Sequence, residues 1–223
     1  MRGAYAVEQV RSAEAQAMAR LPDGALMQRA AEALSVHRAG LLDRVYGARI
    51  ALLVGSGNNG GDALFAGARL AARGARVTAL LLDPGRAHAD GLVAFDRAGG
   101  RALEADPAAL RGADLVLDGM LGIGGRGGLR GPAVELAEAA ADLFTVAVDV
   151  PSGVDADTGV ADETAVHADV TVTLGALKIG TVVGRGVELC GQLRLVDLGL
   201  SLPPASTRLL ESRDVRAVLP RPE

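Results

Sequence analysis

Three short segments hold the polar side chains best suited to binding and catalysis, and each follows an apolar run of the chain. Residues 55–62 read GSGNNGGD and contain both asparagines of the 223-residue protein. Residues 118–128 read DGMLGIGGRGG, and residues 149–155 read DVPSGVD. Glycine lets backbone amides approach an anion closely, and carboxyl groups can give or take protons. The three segments therefore indicate a ligand site that combines anion binding with acid–base chemistry.

The first segment fits the GxGxxG pattern of a dinucleotide-binding turn, with Gly55, Gly57 and Gly60 at the required spacing. Asp62 argues against the ordinary use of that turn, because its carboxylate would oppose a phosphate at the N-terminus of the following helix. The two adjacent asparagines also supply directional donors and acceptors that a plain pyrophosphate turn does not need. The alternative interpretation is a tight turn with Asp62 as a helix cap.

The other two segments offer an anion site and a proton carrier. The glycines of residues 118–128 favour close approach of an anion, with Arg126 placed to join them, and a surface loop is the alternative. Asp149 ends an apolar run and precedes the stiff turn Pro151-Ser152-Gly153. A carboxylate at the end of a buried strand can serve as a general acid or base, and a cap for a turn near Asp155 is the alternative.

Lys178 is the single lysine among 23 lysine and arginine residues. Since every other basic side chain is arginine, a lysine here suggests a position that requires a compact point charge. We predict a supporting role for Lys178 near the bound ligand; a solvated loop lysine is the alternative.

Alternating strand-like and helix-like stretches predict how these segments are held. Apolar residues at helical spacing predict two helices within a helical N-terminal segment of about residues 1–48, and residues 202–223 are expected to form a tail or linker. Strands are predicted at 49–55, 76–82, 115–121, 144–150, 169–174 and 192–198, and helices at 62–73, 91–98 and 132–142. Nearly continuous apolar runs are typical of parallel strands covered on both faces. The pattern predicts one α/β domain with a doubly wound, mostly parallel sheet.

The site is expected where the order of strands reverses. All three polar segments leave strands at the same edge of such a sheet, and ligands bind outside the carboxyl ends of the strands at the switch point. This places the segments around one crevice.

Composition excludes several classes of protein. With 49% apolar residues the chain can bury a core, which excludes intrinsic disorder. A net charge of −4 provides no basic surface for nucleic acid or an anionic membrane. A single cysteine, Cys190, excludes a disulfide framework. Because no signal peptide or membrane-spanning run is present, a cytoplasmic location is expected.

The motifs together resemble one family. The NAD(P)H-hydrate epimerases of the YjeF N-terminal family are similar, in the same order, to the runs VGSGNNGGDALFAGARLAARGARV, DGMLGIGGRGGLRGP, AVDVPSGVDADTG and ADVTVTLGALKIG. The resemblance extends from VEQVRSAE near residue 7 to VDLGL near residue 200. It implies a Rossmann-like three-layer αβα sandwich. It also implies an isomerase that interconverts the R and S epimers of hydrated NADH and NADPH (NADHX and NADPHX), which carry a hydroxyl at C6 of the nicotinamide ring.

The resemblance also assigns residues to this substrate. Those matching the substrate-binding positions are Asn58, Asn59, Gly60, Gly61, Asp62, Gly122, Ile123, Gly124, Gly125, Arg126, Gly127, Gly128 and Asp149. Residues 122–128 are expected to receive phosphate. Two positions depart from the family pattern: Ala63 replaces a common glycine, and Ile123 replaces a common threonine.

A potassium ion is the cofactor that the resemblance implies. Asn59, Asp118 and Ser152 match the positions that hold it. An amide oxygen, a carboxylate and a hydroxyl are hard donors, which suit a hard cation.

The structure of the substrate suggests a reaction path. The lone pair of the ring nitrogen can expel a protonated C6 hydroxyl, and water can then return to either face of the planar cation. We hypothesise that Asp149 is the catalytic residue that delivers and recovers the proton, while Asp62 and the potassium-bound groups order the water and the ring.

Partners and alternative functions are also predicted. The family is often fused to an ATP- or ADP-dependent dehydratase, and Leu219–Glu223 resembles a linker to such a domain. The two N-terminal helices could supply the surface of a homodimer. One alternative function is an NAD-dependent oxidoreductase with Asp83 on a ribose; another is a non-catalytic module that binds a nucleotide or a protein.

Overall fold

The computed structural model describes residues 1–39, 44–210 and 214, without the side chains of residues 36–39. The proposed linker at residues 219–223 and most of the predicted tail lie outside these residues. In chain order the elements are β1 (Arg2–Tyr5), α1 (Val7–Met18), α2 (Ala25–Ala39), β2 (Arg49–Val54), α3 (Asn58–Ala72), β3 (Arg76–Leu81), α4 (Ala89–Arg97), β4 (Arg101–Glu104), β5 (Leu115–Gly119), α5 (Pro132–Ala140), β6 (Thr145–Val148), β7 (Val170–Leu174), β8 (Leu177–Lys178), α6 (Gly186–Leu189), β9 (Gln192–Val196) and β10 (Thr207–Leu209).

A seven-stranded sheet forms the centre of the fold, in the order β4-β3-β2-β5-β6-β7-β9. Every pairing in it is parallel. The predicted α/β fold is confirmed, and all six predicted strands are present with ends shifted by at most two residues. β4 is an additional edge strand that the sequence analysis did not predict; its burial pattern, largely exposed, gives no apolar run to recognise.

Helices cover both faces of this sheet, because side chains alternate along each strand. In β2, Ile50 and Leu52 pack in one core with residues of α2, α3 and α4. Ala51 and Leu53 pack in a second core with residues of α5. These two cores produce the three layers of an αβα sandwich. No helix in the described part of the chain is long and apolar enough to cross a membrane.

The strand order reverses beside β2, which lies between β3 and β5. The backbones of the segments that follow β2 and β5 meet there: a Cβ placed on Gly55 would lie 1.8 Å from the carbonyl oxygen of Met120. Only glycine permits this approach, so the crevice at the switch point begins at the first residue of the GSGNNGGD segment.

Helix α3 starts four residues earlier than the predicted Asp62, at Asn58, with Gly57 as the N-cap residue. Asp62 is therefore not a helix cap, which corrects that alternative. The glycine pair 60–61 obscured the true start, since glycine disfavours a helix interior. Here glycine is required for packing, because a Cβ on Gly60 would lie 2.1 Å from the carbonyl oxygen of Gly55.

A second, small sheet joins distant parts of the chain in the order β10-β1-β8. β1 pairs parallel with β8, where Tyr5 is in register with Lys178, and antiparallel with β10. The sequence analysis missed this sheet, predicting only helices near the N-terminus and a tail or linker after about residue 202. Strands of two to four residues are too short to show a period.

Candidate active site

A cavity of about 640 Å³ opens at the carboxyl edge of the central sheet, at the predicted switch point. Residues from all three polar segments line it: Asn58, Asn59, Asp62, residues 122–125 and Asp149. The remaining predicted site residues do not line it in this structure. Gly60 and Gly61 are buried within α3, and Asp118, Ser152 and Lys178 are buried.

Asp149 enters the cavity through an unusual backbone conformation. Its φ is 69°, the one positive value among the non-glycine residues described. Aspartate tolerates this left-handed region better than most residues, but such a conformation persists only where its surroundings enforce it. Oδ1 of Asp149 accepts hydrogen bonds from Leu174 N at 2.9 Å and from Thr173 Oγ1 at 3.3 Å. No donor within the described residues reaches Oδ2, which leaves that oxygen for a ligand.

Lys178 is fully buried and forms an ion pair with Asp149 through the same Oδ1 atom. Its Nζ atom also donates to Leu174 O at 2.7 Å and to Thr173 Oγ1 at 3.3 Å. The solvated-loop alternative for Lys178 is therefore wrong. β8 holds the lysine beneath Asp149, so each buried charge is neutralised by the other.

Two further carboxyl groups, Asp62 and Glu14, face the same cavity. Burial raises the pKa of Asp62 well above its ordinary value; the charges of Asp149 and Glu14 raise it further, and the Lys178 ammonium opposes them. Burial also raises the pKa of Glu14, against the attraction of Lys178. The cavity therefore combines an ion-paired carboxylate with carboxyl groups whose surroundings favour the protonated form.

The three predicted potassium ligands form one hydrogen-bonded cluster around the backbone of Leu121. Asn59 Nδ2 donates to Leu121 O at 3.0 Å, and Leu121 N donates to Ser152 Oγ at 2.8 Å. Ser152 Oγ donates to Asp118 Oδ1 at 2.6 Å, and Ser152 N donates to Asp118 Oδ2 at 2.8 Å. Burial raises the pKa of Asp118 to about 6, although hydrogen bonds from Ser152 and Met120 lower it.

Arg126, predicted to join the anion site, is exposed and does not line the cavity. Its charge acts on Asp155 instead. Arg11 of α1 lines the cavity instead, close to the second glycine-rich segment: a Cβ on Gly124 would lie 3.4 Å from the Nη2 atom of Arg11. Asp83, which the oxidoreductase alternative places on a ribose, also lines the cavity and caps a short 3-10 helix by accepting from Gly85 N at 3.1 Å.

The two departures from the family pattern both occupy apolar surroundings. Ala63 is fully buried, and a Cβ on Gly119 would lie 2.6 Å from its Cβ. Ile123 packs against the cluster of buried residues that includes Val7 and Val150, and it lines the cavity. The chain therefore has an apolar wall where a threonine would offer a hydroxyl.

Helix α1 is the part of the site that sequence reasoning missed. It carries Arg11 and Glu14, and its first residue, Val7, donates from its backbone to Asp157 Oδ1 at 2.7 Å. One signal was available: Glu14 lies four residues after Val10 and seven after Val7, on the same face of the helix as these two apolar residues. The residues that hold α1 beside the cavity, such as Asp157, are remote from α1 in the sequence and gave no such signal.

The fold and the cavity together define a class: doubly wound α/β domains with a polar, glycine-lined ligand site at the strand switch point. A model of the family described as YjeF-related protein N-terminus matches residues 23–180. The chain belongs to this family, which confirms the resemblance of its motifs.

Individual relatives agree with this membership, and a solved structure shares the fold. The chain is 47% identical over 228 residues to the Bifunctional NAD(P)H-hydrate repair enzyme Nnr of Mycobacterium leprae (strain TN), covering 100% of this chain and 47% of that protein. It is 47% identical over 205 residues to the NAD(P)H-hydrate epimerase of Microbacterium testaceum (strain StLB037), covering 88% and 78%. The crystal structure of yeast ynu0, YNL200c, has the same fold, with a TM-score of 0.72 at 19% identity over 83% of this chain and 85% of that one. The chain spans about half the length of its bifunctional relatives.

Proposed function

We propose that the chain is an NAD(P)H-hydrate epimerase, an isomerase that interconverts the R and S epimers of NADHX and NADPHX at C6 of the nicotinamide ring. The observation that carries the proposal is the Asp149–Lys178 pair at the cavity, which leaves one carboxylate oxygen open to a ligand. Relatives that match most of their own length to this chain bear the name NAD(P)H-hydrate epimerase, which agrees with the predicted isomerase class.

The nucleotide is oriented by its phosphates. The first backbone N–H groups of a helix have no partner within it, and because α3 begins at Asn58 and not at Asp62, its N-terminus is suited to an anion. Residues 122–125 and Arg11 face the same space. With the phosphates there, the nicotinamide ring lies deeper in the cavity, toward Asp149.

The reaction needs no redox step. Protonation of the C6 hydroxyl lets the lone pair on N1 break the C6–O bond, and water leaves a planar cation. Addition of water to the other face, with loss of one proton, gives the opposite epimer. Carboxyl groups that line one cavity suit both proton transfers, and the Asp149 carboxylate stabilises the cation between them.

The direct test is exchange between the purified epimers. Each NADHX epimer is incubated with the protein, and the two are resolved by chromatography over time. We expect either epimer to approach the same equilibrium mixture. Binding of NADHX without exchange would instead support the non-catalytic module, and hydride transfer from intact NADH would support the oxidoreductase.

We also propose that Asn59, Asp118 and Ser152 bind potassium, as the resemblance to the family implies. The donor chemistry fits, because each side chain has an acceptor position left. Asn59 Oδ1 accepts no hydrogen bond from the described residues, Ser152 Oγ accepts one, and Asp118 accepts three. A bound potassium ion would supply positive charge to the buried Asp118 carboxylate and fix Leu121, which lines the cavity.

Potassium binding is expected to stabilise the fold. At a concentration one hundred times its Kd, the ion should raise the free energy of unfolding by about 2.7 kcal/mol. Thermal unfolding in potassium chloride is compared with that in a chloride of a bulky organic cation at equal ionic strength. Asp118→Asn should abolish the difference, whereas Asp142→Asn, an exposed site beyond α5, should retain it. An equal melting temperature in both salts for the unaltered protein would contradict the potassium site.

The proposed partners follow from the longer relatives. Their name, bifunctional repair enzyme, supports the predicted dehydratase partner, either fused or separate. A homodimer and a cytoplasmic location stay predictions; the buried free thiol of Cys190 is compatible with a reducing compartment.

A further inference from the structure

Asp62 is a buried carboxyl group without a partner. Its exposed fraction is 9%, it lines the cavity, and no donor or cation within the described residues forms a hydrogen bond or ion pair with it. Buried polar groups are nearly always hydrogen-bonded, and an exception calls for an explanation. Asp118, also buried, accepts three hydrogen bonds, so the fold can satisfy a carboxylate in this region.

The surroundings of Asp62 differ from those of Asp149 in a consistent way. Asp149 is held by the ammonium of Lys178 and by two hydrogen-bond donors. Burial has the largest influence on Asp62 and favours its protonated form; Asp149 and Glu14 act in the same direction, and Lys178 opposes them more weakly. Asp149 is paired with a cation, whereas the buried Asp62 is surrounded by other carboxyl groups and has no hydrogen bond from the described residues, and such different surroundings are how enzymes separate the roles of acid and base.

We propose that Asp62 is a catalytic residue that donates the proton to the departing C6 hydroxyl, with Asp149 as the base on the opposite face of the ring. The inference rests on the proposed epimerase function and divides between two residues the proton transfers first assigned to Asp149 alone. Asp62 stands on α3 and Asp149 follows β6, so the two carboxyl groups reach the cavity from different elements.

Protons balance over the cycle. The Asp62 carboxylic acid protonates the hydroxyl oxygen, the C6–O bond breaks, and water and the Asp62 carboxylate remain beside the planar cation. A second water attacks C6 from the other face and gives its proton to the Asp149 carboxylate. Asp149 then releases that proton to water and Asp62 takes one up, which restores the starting state; the reverse reaction begins from the form with Asp149 protonated and Asp62 ionised. The two carboxyl groups therefore exchange roles between the two directions.

The test is Asp62→Asn, which keeps the size of the side chain and removes its acidic proton. Because Asp62 has no partner to lose, the variant should fold, as thermal unfolding will verify. We expect kcat for epimer exchange to fall roughly 10²–10⁴-fold, while the Kd for NADHX, measured by calorimetric titration, is unchanged. Asp142→Asn makes the same chemical change at an exposed position and should leave both values unaltered.

Two further measurements distinguish proton donation from substrate binding. In the unaltered protein kcat/KM should fall at high pH, because a group with a raised pKa must be protonated; Asp62→Asn should lose this alkaline limb. The groups facing Asp62 during the titration are Glu14 and Arg11 on α1, Asp149 after β6 and Lys178 in β8. The double variant Asp62→Asn, Asp149→Asn should be little slower than the slower single variant, since the two residues act as one unit.

The outcomes separate this inference from the proposed function. If the unaltered protein exchanges the epimers and Asp62→Asn does so with a normal kcat, the catalytic role of Asp62 is overturned and the epimerase proposal stands. A raised KM with an unchanged kcat would make Asp62 a binding residue only. Absence of exchange in the unaltered protein would overturn the epimerase proposal itself.

Discussion

Asp149→Asn is expected to slow the exchange of the two NADHX epimers roughly 10²–10⁴-fold, the usual contribution of a general acid or base. The amide keeps the shape of the carboxyl group but cannot accept the proton of attacking water. Asparagine also tolerates the left-handed backbone at this position, where φ is 69°. The amide oxygen can still accept hydrogen bonds from Leu174 N and Lys178, which should keep the geometry of the site. The buried Lys178 ammonium loses its counter-charge, so the free energy of unfolding should also fall.

The measurement is chromatographic resolution of the epimers under single-turnover conditions, with thermal unfolding to verify the fold. Asp142→Asn is the matched control, because it removes one carboxylate from the surface. A folded Asp149→Asn protein with undiminished exchange would exclude Asp149 from catalysis. A variant that binds NADHX normally and exchanges it slowly is the expected result, since binding and proton transfer are then separable.

The central sheet could be predicted because its strands are buried on both faces. All five residues of β5 are buried, and such strands produce continuous apolar runs whichever face each residue occupies. Tyr5 and Lys178, which pair in the small sheet, are 173 positions apart in the sequence. Their pairing depends on where the large sheet brings the chain, and no local pattern encodes that.

The position of the site could be predicted because it follows from the strands that the apolar runs reveal. Asn58, Asp62 and Asp149 belong to polar segments that follow strands, and the rule for open sheets brings such segments together. Arg126, the predicted arginine, does not line the cavity in this structure, whereas Arg11 reaches it on a helix fixed by remote contacts. The protonation preferences of the carboxyl groups could not be predicted, since they depend on distances that only the fold sets.

A second large effect is expected from Lys178→Met, which keeps the length of the side chain and removes its charge. The Asp149 carboxylate would stay buried without its cation, and removal of one partner of a buried ion pair typically costs about 3–5 kcal/mol. Lys178 also donates to Leu174 O at 2.7 Å, which would lose that donor. Urea unfolding should therefore show a lower midpoint with the same slope, and epimer exchange should be lost.

The double variant Asp149→Asn, Lys178→Met shows whether the pair itself is responsible. It removes both charges together, so it should be more stable than Lys178→Met alone, with the difference measured as a coupling energy. If Asp149→Asn lowers the free energy of unfolding by the same amount in Lys178→Met as in the unaltered protein, the two side chains act independently. Lys178 does not line the cavity and reaches the substrate only through Asp149. If the two side chains act as one buried ion pair, the double variant should therefore show both a coupling energy in stability and a loss of epimer exchange.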